Sequence, residues 1–305
     1  MISKSLPHVL VLGSIYGTSL IASRFSVGQF DPIAYVALRL LLASLGYLFM
    51  YMFSFQGRSI PKDKQLWKHG ILLGVFGTAI PISFIVMSLQ YQSSGLTAIL
   101  ITLSPAMTVL LAHYFLHDEP LTRTKGLGIG LALVGAVLLS ILGESGLPDV
   151  TRVNPTGYIL VIVGMLFGST MIIYSRKYMS GLSAFDVGAV RMITATMIVL
   201  PISLFVIGID LSKVNQIGYL ALGWASFVGT LAGMLLEFYI IKRFGATSAA
   251  MTAYVIPIVA GIGGVFMLGE SFTPGMLQGT ALIIIGISFI NRTSPKRNLP
   301  EIKPI

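Results

Sequence analysis

Three charges stand inside long apolar runs, Glu237, Arg39 and Arg191, and each needs a physical reason to be there. An arginine at the centre of a lipid-embedded helix costs from about 3 kcal/mol upward. It must therefore snorkel to the surface, face a wet cavity or bond to a neighbouring helix. Such a guanidinium can draw in an anionic group of a solute, or it can staple two helices together. Glu237 is the one carboxylate well within an apolar run, where a carboxyl can exchange a proton or meet a cationic ammonium. The plainer alternative pairs it with Lys242 or Arg243, one turn or so further on.

Pro105 and Pro257 each fall near the centre of an apolar run, where a proline removes one backbone hydrogen bond and frees a carbonyl one turn earlier. Either these are kinks used for packing or the freed carbonyls and nearby hydroxyls, Thr102 among them, hold a solute. Tyr16, Tyr174, Trp224, Tyr239 and Tyr254 are aromatic side chains with polar tips inside the runs. Trp224 lies too deep for an interfacial belt and is a candidate pocket residue. His113 and His117 share a helix face, but no further ligand lies nearby, and no cysteine is present. No metal and no cofactor are expected. No serine–histidine set, GxSxG or zinc spacing suggests an enzyme.

The elements that position these residues follow from composition. The chain is 55 % hydrophobic and 10 % charged, too little polar surface for a water-soluble fold. Runs of about 20 apolar residues, enough to cross the hydrocarbon, cover 6–27, 32–55, 67–90, 95–116, 124–142, 156–178, 184–207, 216–241, 246–268 and 274–291. The net charge of +9 is scattered between the runs and forms no stripe for nucleic acid. Alternate connecting segments, with both termini, hold 15 of the 20 lysines and arginines, and the opposite loops hold three. That bias predicts ten spans with both termini cytoplasmic.

The chain also repeats itself. Arg39, Gly77–Thr78 and Pro105 recur 152 residues later as Arg191, Gly229–Thr230 and Pro257. Glu119, Thr122, Gly128 and Gly135 recur 151 later as Glu270, Thr273, Gly279 and Gly286. Five spans is an odd number, so the second copy must enter the membrane from the other side. The fold class expected is an all-α membrane protein of two inverted five-helix repeats. The first repeat occupies 1–142, an outer linker 143–155, the second repeat 156–291 and a cytoplasmic tail 292–305. Glu237 breaks the repeat, since its counterpart is Ile85. Where two copies differ, a specific site is the natural explanation.

SPAMTVLLAHYFLHDEPLTRTKGLGIGLALVGAVLL and IPIVAGIGGVFMLGESFTPGMLQGTALIIIGISFI share a mid-helix proline, a glutamate at the helix end, a threonine and a glycine-spaced last helix. In this the chain resembles the EamA-type, ten-helix members of the drug/metabolite transporter superfamily over nearly its whole length. The resemblance implies a multi-pass plasma (inner) membrane carrier. It would move small metabolites such as amino acids, by export, through alternating access. Spans 1, 3, 4, 6, 8 and 9 would surround the cavity, with spans 5 and 10 peripheral. His117-Asp118-Glu119 stands where the family usually has Leu-Gly-Glu, and Glu237 where a neutral residue is common. A proton is the candidate coupling ion, membrane lipid and a small-molecule substrate are the expected partners, and a monomer is the expected state. The competing class is a carrier or flippase for lipid-linked substrates.

Overall fold

The structure, a computed structural model, describes residues 2–53, 60–116, 121–148, 154–179, 181–244, 249 and 251–292. Among them there is no strand. The helices are α1 (Ile2–Val27), α2 (Pro32–Met52), α3 (Lys64–Ser88), α4 (Ser94–Phe115) and α5 (Arg123–Ile141) in the first half. In the second half they are α6 (Pro155–Tyr178), α7 (Ala184–Ile207), α8 (Gln216–Gly223, Trp224–Ala232 and Gly233–Phe244 end to end), α9 (Thr252–Leu268) and α10 (Pro274–Arg292). Among the described residues eight helices are long and apolar enough to cross a membrane, and α9 and α10 contribute shorter apolar helices. The expected span 246–268 has its first residues outside the described set, so α9 begins at Thr252. His117-Asp118-Glu119, part of the linker and the tail beyond Arg292 also lie outside it.

Local sequence sets the helix starts. Asp31 accepts from the Ile33 and Ala34 N–H groups with Pro32 at the first helical position, and Ser93, Thr122, Asn154, Ser183 and Asn215 cap α4 to α8 in the same way. These polar side chains satisfy donors that a helix cannot satisfy internally. Apolar side chains coat the outside, with Phe205 and Phe266 each 85 % exposed. Such a surface is stable against lipid tails and not against water.

Helix contacts come in pairs that the repeat exchanges: α1 with α9 and α6 with α4, α3 with α6 and α8 with α1, α2 with α8 and α7 with α3. Repeat mates also touch directly. The Thr196 hydroxyl donates to its own mate Ser44 at 3.4 Å, and nearby Tyr51 donates to Asp186 at 2.6 Å. Rising residue numbers on α2 thus meet falling numbers on α7, so the mates run antiparallel. The α5–α10 pair obeys the same rule, since Gly128 abuts Gly286 while Gly135 abuts Gly279.

Glycine permits that last contact. A Cβ on Gly128 would lie 2.5 Å from the Gly286 carbonyl oxygen and one on Gly135 2.8 Å from that of Gly279. Gly128→Ala is expected to destabilise by about 1–3 kcal/mol through overpacking. Gly130→Ala, with nothing within 4 Å of the added methyl, is expected to be neutral or stabilising by up to about 1 kcal/mol. Thermal unfolding of the two variants in one detergent compares them directly.

α4 breaks where Pro105 predicts. Helix Ser94–Ile101 ends in tightened turns, with Thr102 N–H donating to Ile99 and Leu103 N–H to Leu100, before helix Ser104–Phe115 begins. Pro257 lies inside α9 without ending it. Wider π-turns, unannounced by the apolar pattern, occupy Val75–Ala79 in α3, Ser203–Ile207 at the end of α7 and Trp224–Ala232 in α8.

Candidate functional site

The two intramembrane arginines bond to the π-turns of α3 and α8. Arg39 reaches from α2 to α8, where its Nε donates to Thr230 Oγ1 at 2.8 Å. Arg191 reaches from α7 to α3, where its Nε donates to Thr78 Oγ1 at 2.8 Å. Each threonine hydroxyl donates in turn to a carbonyl five residues back, Ala225 at 2.9 Å and Leu73 at 3.4 Å. A five-residue step is the repeat of a π-turn, and such turns concentrate at functional sites. Both arginines therefore bridge one half of the chain to the other, as a staple would.

Beyond that shared bond the two differ. Arg39 spends its remaining nitrogens on α1, with Nη1 donating to Ser23 Oγ and Nη2 to Ser19 Oγ, both at 3.0 Å. In the second copy Met171 packs against Gly77 where Ser19 packs against Gly229, and a thioether is a poor acceptor. Arg191 Nη2 turns instead to the Gly77 carbonyl at 3.0 Å, which Pro81, four residues on, has no N–H to satisfy. Nη1 of Arg191 has no partner among the described residues and is not enclosed.

Glu237 lies on α8 and accepts a 2.8 Å hydrogen bond from the Tyr16 hydroxyl of α1 at its Oε2. Of the two expected alternative partners, Arg243 lies over the Tyr239 and Phe244 rings, and the side chain of Lys242 lies outside the described residues. Gly233 makes room for the tyrosine, since a Cβ there would stand 2.7 Å from Tyr16 Cε1. Oε1 of Glu237 has no partner among the described residues. Arg191 lies within electrostatic reach of Glu237, Tyr47 and Tyr16, yet no ion pair within 4.0 Å joins it to Glu237.

Tyr47 is the residue the sequence reading missed. It is fully buried on α2, and its hydroxyl, beside Gly188 of α7, has no hydrogen-bond partner among the described residues. A buried unsatisfied donor costs about 1–3 kcal/mol. The signal that exposes Glu237 also exposes Tyr47: its counterpart 152 residues on is Val199.

The other expected residues lie apart from this cluster. Trp224 is 45 % exposed and donates to Thr18 at 3.1 Å. Tyr239 stacks near His8 and Phe244, and Tyr174 shares a 2.7 Å hydrogen bond with His69 on α3. Thr102 donates to the Ile99 carbonyl within the α4 break. Tyr254 packs on the core between α4, α5, α6 and α10. Two grooves, of about 580 Å³ along α5 and about 320 Å³ beside Pro257, open on the exposed apolar surface and hold none of the cluster.

Glu270, one of the repeated helix-end glutamates, forms a separate node. It is buried and accepts from Ser94 N–H at 2.8 Å, Ser94 Oγ at 2.7 Å and Gly95 N–H at 3.4 Å, while Arg24 stands 3.8 Å away. It thereby closes the end of α1 and the start of α4 onto the α9–α10 turn.

Paired antiparallel halves, an apolar coat and charged side chains held between the halves define a multi-pass membrane transporter. The chain belongs to the EamA-like transporter family, whose pattern matches residues 5–141 and again 155–292. It is 26 % identical to a transporter of Archaeoglobus fulgidus over 92 % of this chain and 95 % of that one. It is 25 % identical to the inner membrane transporter YedA of Escherichia coli K12 over 95 % and 90 %. Identity to a protein of Salmonella typhimurium named as a probable amino-acid metabolite efflux pump is 22 %, over 92 % of each. A solved crystal structure matches with a TM-score of 0.67 at 18 % identity, over 97 % of this chain and 100 % of that chain, which establishes the shared fold alone.

Proposed function

We propose that the chain is a secondary carrier of amino acids or related small metabolites, exporting them across the plasma membrane by alternating access. The observation that carries the reading is the partly buried charged cluster of Glu237, Tyr16 and Arg191 where α1, α7 and α8 of the two halves meet. A charge held in a membrane without an ion-pair partner among the described residues is expensive, and a polar solute would offset that cost. The antiparallel repeat mates support an inverted pair of five-helix units, and the 15 to three split of basic residues supports ten crossings with both termini cytoplasmic. The name given to the Salmonella relative favours amino acids and efflux. Glu237 is also the group through which a proton would couple to transport, in a carrier that works as a monomer.

The test is uptake of a panel of labelled amino acids into proteoliposomes, with and without a pH gradient. Saturable flux of at least one member, driven by the gradient, is expected. Lipid scrambling with no amino-acid flux would replace this reading with a flippase.

A further inference from the structure

The two repeat-related arginines differ in how many of their nitrogens are hydrogen-bonded. Arg39 has its Nε, Nη1 and Nη2 all hydrogen-bonded to hydroxyls of α1 and α8. Arg191 is equally anchored at Nε and Nη2 but leaves Nη1 unpaired and open. Three further departures from the repeat surround that end. Tyr47 stands where the other copy has Val199, Glu237 where it has Ile85, and Met171 where Ser19 accepts from Nη2 of Arg39; Ser23, which accepts from Nη1 of Arg39, has the counterpart Ser175, which makes no such bond to Arg191.

The unsatisfied atoms have a pattern. At one end are two donors, Arg191 Nη1 and the buried Tyr47 hydroxyl, which lies within electrostatic reach of Arg191. At the other is an acceptor, Glu237 Oε1, on a carboxyl whose second oxygen is oriented by Tyr16. The opposite charges attract each other, yet the fold holds them apart without an ion pair. A guanidinium end with a hydroxyl beside it suits a carboxylate. A carboxylate with one free oxygen suits an ammonium.

We propose that this gap is a zwitterion site in which Arg191 and Tyr47 bind the substrate's carboxylate and Glu237, oriented by Tyr16, binds its ammonium group. The inference rests on the reading of the chain as an amino-acid carrier and adds which residues recognise each end of the substrate. Arg39, whose donors are consumed, is scaffold. Arg191 is both staple and ligand, anchored by one edge of its guanidinium and binding with the other. A solute with only one charge would leave the opposite end of the site unpaired, which is the strongest form of discrimination a polar site has.

The experiment uses proteoliposomes of the full chain and the amino acid from the labelled panel with the highest flux. Its methyl ester, which lacks the carboxylate charge, and its N-acetyl derivative, which lacks the ammonium, serve as competitors. In wild type both should compete at least about 100-fold more weakly than the parent amino acid. Arg191→Gln should lose affinity for the amino acid but not for the ester, and Glu237→Gln should lose it for the amino acid but not for the N-acetyl derivative. Tyr47→Phe, which keeps the ring and removes only the hydroxyl, should weaken the amino acid roughly 10-fold and leave the ester unchanged. It keeps the proposal testable even if Arg191→Gln does not fold. Competition by the ester equal to that of the amino acid, or losses in Tyr47→Phe that fall equally on both, would overturn the proposal while leaving the carrier in place. No flux of any amino acid in wild type would overturn the carrier reading itself, and this site with it.

Discussion

Glu237→Gln is expected to lower amino-acid flux by roughly 10- to 150-fold, the loss of one hydrogen bond to a charged group at roughly 1.5–3 kcal/mol. The melting temperature should stay within about 2 °C of wild type, because glutamine has the same shape and keeps an acceptor for the Tyr16 hydroxyl. Proteoliposome uptake and thermal unfolding on one preparation measure both. The separation of the two readouts carries the meaning. A structural carboxylate would lose stability and flux together, whereas a substrate ligand loses flux alone. Glu237 has one oxygen tied to Tyr16 and one without a partner among the described residues, the arrangement the proposed ligand role requires.

Glu270→Ala should do the reverse. It removes the acceptor for Ser94 N–H, Ser94 Oγ and Gly95 N–H and the counter-ion of Arg24. Breaking a buried pair by removing one partner costs about 3–5 kcal/mol, and the lower end applies because the Arg24 side chain is 25 % exposed. Glu270→Gln retains a carbonyl oxygen for the start of α4 and should recover part of the loss. Unfolding temperature and yield of folded protein measure both variants. Transport per folded molecule should change less in Glu270→Gln than in Glu237→Gln, since no atom of this node belongs to the cluster around Arg191.

The helices and the repeat were legible because lipid imposes long apolar runs, and a duplicated unit keeps its small and charged landmarks. The break at Pro105 followed from a missing N–H. The π-turns were not legible, since nothing in an apolar pattern distinguishes a five-residue step from a four-residue one; those of α3 and α8 carry the threonines to which Arg191 and Arg39 donate. Glu237 and Tyr16 were both named from sequence, but not as partners, because 221 residues separate them. Trp224, Tyr174, Tyr239, Tyr254 and Thr102 were selected for residue type and depth, and neither property fixes which way a helix turns a side chain. Tyr47 was passed over for the converse reason. It looked like an ordinary core aromatic, although comparison with Val199 marked it. Difference between the copies was a better guide to this cluster than chemical type alone.

The arginines make the same point. Identical residues at equivalent positions differ in consequence because their neighbours differ: Ser19 accepts from Nη2 of Arg39, whereas beside Met171 the Nη2 of Arg191 donates to the Gly77 carbonyl. Duplication thus yields a scaffold used twice and a polar cluster that arises once.

The central claim, that the solute binds at Glu237 between the halves, is tested most directly by ligand-induced stabilisation of the purified protein. A ligand at about 100 times its Kd adds roughly 2.7 kcal/mol to the folded state. Melting temperature is measured against rising concentrations of each amino acid for wild type and Glu237→Gln. At least one amino acid should raise the melting temperature of wild type in a saturable manner and leave that of Glu237→Gln unmoved. An equal rise in both proteins would place the solute elsewhere and contradict the account.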